Sequence, residues 1–110
     1  MNSRNLVIAA VGFAVALSGV SAASAETRWE RHHPRREQVN DRLAHQDARI
    51  HRERAEGDIS AAKAHRLHAA DHRIRMAERR DARMHGGHIT AAEQARLNAR
   101  ENAVSARIGR

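Results

Sequence analysis

The chain has no cysteine and no tyrosine, and its single phenylalanine, Phe13, lies in an apolar stretch near the start. Without cysteine there is no disulfide framework and no thiol nucleophile. Trp29 is the one tryptophan, which leaves little to build an aromatic pocket or to stack on nucleobases. Lysine is almost absent too: Lys63 stands alone, so the net charge of +7 is carried by arginine. There is no glycine-rich phosphate loop, no Gly-x-Ser-x-Gly and no His-Glu-x-x-His, so an enzyme is not expected.

What is present begins with a targeting pattern. Arg4 precedes an uncharged apolar run from Leu6 to Leu17, and Ala23-Ser24-Ala25 has the small-x-small form of a signal-peptidase site. The run is shorter than the roughly 20 residues a membrane-spanning helix needs. Residues 1–25 are therefore read as a signal peptide, and the remainder as a periplasmic or secreted chain with no membrane span. Export and the lack of aromatics argue against nucleic acid as the partner of so basic a protein. Phosphate-rich, anionic envelope surfaces are the more plausible anionic neighbour, beside the plainer reading of a solvated Arg/Glu helix surface. Residues 26–36, with His32-His33-Pro34, read as a disordered basic lead-in, and residues 37–110 as a helical-repeat domain.

The repeat is explicit. Gly57-Asp58-Ile59-Ser60-Ala61-Ala62 returns 30 residues later as Gly87-His88-Ile89-Thr90-Ala91-Ala92. In each copy a glycine ends one helix and a hydroxyl caps the next. The pattern predicts an all-α fold of three helices: one from about Arg35 to Glu56, one from Ser60 to about His85, and one from Thr90 onward. Thr90 and Glu93 fit a capping box, whereas Lys63 stands where the first copy needs the glutamate. Leu43–Ile50, Leu67–Ile74 and Leu97–Val104 share a seven-residue gap, giving three thin apolar seams, and Gln46 and Asp81 fall where those seams should be apolar. So few large apolar residues suggest an elongated hairpin array that pairs with a second copy as a homodimer.

Most carboxylates lie beside arginines at helix-support spacing, Asp71 and Arg75 among them. The histidines are less ordinary. His65, His68, His72 and Met76 fall on one stripe of the second helix, a spacing at which imidazoles one turn apart can hold copper, nickel or zinc, the thioether favouring copper. Asp41–His45, Asp47–His51 and Asp81–His85 repeat an Asp-x-x-x-His spacing in which the acid could ligate beside the imidazole or orient it. His32, His33, His85 and His88 add further donors. Nine histidines would also gain charge on acidification and loosen a weak seam.

Val39-Asn40-Asp41-Arg42-Leu43, Arg49-Ile50, Gly57 to Ser60, and Gly86 to Gln94 with Leu97-Asn98 together resemble a group of small secreted proteobacterial helical-repeat proteins without an assigned activity. Ile89-Thr90-Ala91-Ala92-Glu93-Gln94 is similar, more distantly, to the Leu-Thr-x-x-Gln phrase of periplasmic stress chaperones and metal sensors. That resemblance implies a periplasmic, all-helical, non-enzymatic, stress-related protein. The expected function is thus to bind unfolded envelope proteins or transition-metal ions, with a cationic coat on anionic envelope surfaces as the alternative.

Overall fold

The computed structural model describes residues 27–109; the signal peptide expected over residues 1–25 lies outside the described residues. Every regular element among them is α-helix: α1 (Arg28–His32), α2 (Pro34–Ala55), α3 (Ala61–Met84) and α4 (Ala91–Ile108).

The lead-in, expected without regular structure, is helical at α1 and again from Pro34. The Thr27 hydroxyl accepts from the Glu30 N–H at 3.0 Å and the Glu30 carboxylate accepts from the Thr27 N–H at 2.8 Å, a capping box that holds one turn. Pro34 takes the first helical position of α2, where its missing N–H has no partner to lose.

Each helix ends and begins for a local reason. At the end of α2 the Gly57 N–H bonds Arg54 O and the Asp58 N–H bonds Glu53 O, the Schellman arrangement, with Gly57 at φ +81°. Gly86, at φ +65°, takes the same place after α3, followed by a second left-handed glycine, Gly87. The aligned glycines of the repeat are thus not equivalent: the second turn carries one residue more. Ser60 Oγ accepts from the Lys63 N–H at 3.0 Å and makes half a cap. Thr90 and Glu93 complete theirs, the side chains bonding each other's backbone N–H at 3.1 and 2.8 Å. The Thr90 N–H holds the Glu93 carboxyl below the ordinary carboxylate range.

The three long helices close on one core. Each packs against both others, including α2 against α4. Gln38 meets Gln94 and Asn98, Arg42 meets Asn98 and Asn102, and Arg49 meets Ser105, a constant offset, so α2 and α4 run in the same direction. Arg36 meets Glu78 and Asp47 meets His68, a constant sum, so α3 runs against α2. The seam residues Leu43, Ile50, Leu67, Ile74, Leu97 and Val104 all face inward, joined by Val39 and Ile108 and by Ile59 and Ile89 from the two turns. Alanines 64, 70, 77 and 82 let α3 approach closely.

Thr90→Ala removes the hydroxyl of the complete box and should lower stability by about 1 kcal/mol in urea unfolding. Ser60→Ala should lower it less, because its box has no glutamate to strand.

Candidate functional site: an arginine surface over an acidic core

Five carboxylate side chains lie inside: Glu53, Asp71, Glu78, Glu93 and Glu101. Three of the bundle's acids follow one rule. Asp47, Asp71 and Glu101 each stand four residues after a seam leucine and three before the next seam residue, one on each long helix. The spacing places them on the apolar stripe, since residues three and four apart share a helix face.

Their partners come from other helices. Asp47 Oδ1 lies 3.0 Å from His68 Nδ1, and Asp47 Oδ2 lies 3.6 Å from Arg75 Nη2. Arg75 therefore reaches across to α2, and the Asp71–Arg75 support pair expected within α3 does not form. Arg42 Nε lies 3.7 Å from Glu101 Oε1, while its two terminal nitrogens donate to Asn98 and Asn102. Gln46 is buried and donates Nε2–H to the backbone oxygen of Glu101 at 2.7 Å. The amide nitrogen of this seam residue is thereby satisfied, while its side-chain oxygen is buried without a partner. Asp81, the other polar seam position, is only half-buried.

Burial pushes the carboxyls of Asp71 and Glu101 up to about 7. For Asp71 the neighbouring Asp47 carboxyl and the negative charge of Glu101 add to burial, and Arg75 opposes them. For Glu101, Arg42 and Arg75 oppose burial without cancelling it.

Glu78 is held differently. Arg36 embraces its carboxylate through Nε and Nη2, the latter at 3.2 Å, and donates Nη1–H to Gly87 O at 3.2 Å. Arg35 donates to Ile89 O at 3.3 Å. Two arginines at the start of α2 thus fasten the α3–α4 turn. His33 and His88 stack there at 4.7 Å between ring centroids, 17° from parallel, and His85 Nδ1 lies 3.3 Å from the Glu93 carboxylate.

The arrangement leaves arginine outside. Arg66, Arg73, Arg79, Arg80 and Arg83 of α3 and Arg96, Arg100 and Arg107 of α4 are exposed. Among the described residues none of these makes an ion pair. Arg36, Arg79 and Arg83 line an open groove of about 480 Å³ with Ala82, Gly86 and Gly87. Among the described residues the exposed large apolar side chains are Trp29, 42% exposed, and Met84, 71% exposed.

The sequence-predicted ligands all lie on α3. His65 and His72 are exposed, Met76 is half-buried, and His68 turns toward Asp47. Among the described residues the set of three histidine or carboxylate ligand atoms lying within 4.8 Å of one another is Glu53, Glu56 and Asp58, which does not include the stripe. His85 bonds the backbone oxygen of Asp81 at 3.1 Å, and Asp47 faces His68 with His51 exposed. The acidic layer was missed at the sequence level, although its signal, Leu-x-x-x-Asp/Glu-x-x-Ile/Val in three copies, is present.

No known protein family, curated protein or solved structure matches the chain.

Arg36→Ala leaves Glu78 buried without its counter-charge and should cost about 3 kcal/mol in denaturant unfolding. Arg36→Met combined with Glu78→Leu should recover most of that loss, since removing both charges leaves nothing stranded.

Proposed function

We propose that this chain is a non-enzymatic, cationic binding protein of the cell envelope that attaches to anionic, phosphate-bearing surfaces. The observation that carries this reading is the partition of charge. Five acids are inside the bundle, and the arginines of α3 and α4 other than Arg75 are outside without carboxylate partners among the described residues. The face offered to solvent is therefore more positive than the net charge of the chain suggests. Guanidinium groups suit this task, because their planar forks bond phosphate oxygens two at a time.

A chaperone acting through its apolar seam is less well supported, because the seam residues are consumed within one chain. For the same reason a partner copy has little apolar surface to cover, and the chain acts as a monomer in this reading. Sedimentation equilibrium should give the mass of one chain across a wide concentration range; a mass that doubles with concentration would refute this. The exposed pair His65 and His72 keeps metal capture open only as an accessory property of the same surface.

Vesicles with phosphate-bearing anionic headgroups should bind the protein at low salt, and zwitterionic vesicles should not. Binding should fall steeply as salt rises, because at 1 M the screening length is only about 3 Å. Arg79→Gln and Arg83→Gln should each weaken vesicle binding about fivefold, the effect of roughly 1 kcal/mol per basic residue at such a surface. Binding that ignores salt, or is absent at low salt, rejects the reading.

A further inference from the structure

Asp47, Asp71 and Glu101 hold equivalent positions on three helices that share one core. Asp71 is 1% exposed and Glu101 fully buried, and no hydrogen-bond donor reaches any of their four carboxylate oxygens. An ionised carboxylate buried in that state is strongly disfavoured. Three things could relieve it: a guanidinium, a metal ion or a proton.

The guanidiniums are engaged elsewhere. Arg42, from α2, stops 3.7 Å short of Glu101 and gives its terminal nitrogens to Asn98 and Asn102. Arg75, from α3, points to Asp47. A metal ion fits poorly, because the oxygens of the three carboxyls do not gather within 4.8 Å of one another. The proton remains. Asp71 and Asp47 hold matching seam positions on helices packed against each other, and two neighbouring carboxyls can bond each other only when one of them carries hydrogen. Asp47 faces His68 and Arg75, so it is the partner that keeps the negative charge.

We propose that Asp47, Asp71 and Glu101 form a proton-binding site at the centre of the bundle, in which protonated Asp71 donates to ionised Asp47 and Glu101 is held neutral beside them. The groups facing this site are Asp47 and Arg42 from α2, His68 and Arg75 from α3, and Glu101 from α4. The upward displacement of both buried carboxyls agrees with the geometry.

The sign follows from linkage. In an unfolded chain these carboxyls release their protons near pH 4, as model peptides do. The folded chain holds them to about 7. Between those values the folded state binds more protons, so stability falls as pH rises through that window and returns as pH falls. Mild acid therefore tightens the bundle, opposite to the loosening expected from histidine charging.

Thermal unfolding of the full chain between pH 5 and pH 8 tests the site. The wild type should melt at least about 5 °C higher at pH 5 than at pH 8, given roughly 4–8 °C per kcal/mol for a domain of this size. Asp71→Asn combined with Glu101→Gln keeps both groups neutral at every pH. It should lose more than half of that difference and melt above the wild type at pH 8. A flat wild-type profile, or an unchanged slope in the double variant, overturns the proposal. Carboxyl carbon-13 titration of the wild type decides the matter if the variant does not fold. Two carboxyls titrating above pH 6 support the site, and none doing so overturns it.

Discussion

Three helices with one large apolar residue every two turns bury too little area to define a core alone, so whatever fills the intervening positions governs how they meet. Here those positions hold alanine, which shortens the distance between helices, and carboxyl groups, which demand a partner. Arg36 with Glu78 and Arg75 with Asp47 join α2 to α3, and Arg42 with Asn98 and Asn102 joins α2 to α4. Apolar burial supplies a driving force of about 25 cal/mol per Å² but little direction. The polar contacts supply direction, because a helix slid by one turn would strand a charge in the interior.

The same arrangement fixes the character of the surface. Acids drawn inward cannot neutralise the arginines that flank them in sequence, so the exterior is almost wholly cationic along α3 and α4. Arg36, Arg42, Arg49 and Arg75 are used to build the bundle, whereas Arg79, Arg80 and Arg83 have no such role. Structural and surface arginines are thus separable by position, which a count of basic residues conceals.

The three long helices, their turns and their caps were legible in the sequence because their causes are local, whereas the single turn of α1 in the lead-in was not read. A glycine at positive φ and a hydroxyl three residues before a glutamate act within a few residues of themselves. The seam was legible for the same reason. The acidic layer was not read, because Asp71 beside Arg75 has the spacing of an exposed support pair, and only α2 alongside reveals that Arg75 turns away. The partner of His68 was not legible either: it lies on an imidazole stripe in sequence, and the neighbouring helix gives it Asp47. The contact between α2 and α4 rests on side chains about 56 to 60 residues apart, a range at which spacing along one chain carries no signal.

The placement of the acid between its two seam residues has a further effect. Four residues separate it from the leucine and three from the isoleucine or valine, so it sits near the middle of each seven-residue unit. Such a unit reads almost the same from either end. A helix running down therefore presents its carboxyl between two large apolar residues just as a helix running up does. A single near-palindromic word, written three times, serves both directions of travel. A duplicated segment of this kind could enter a bundle in either orientation without a new core sequence being composed for it.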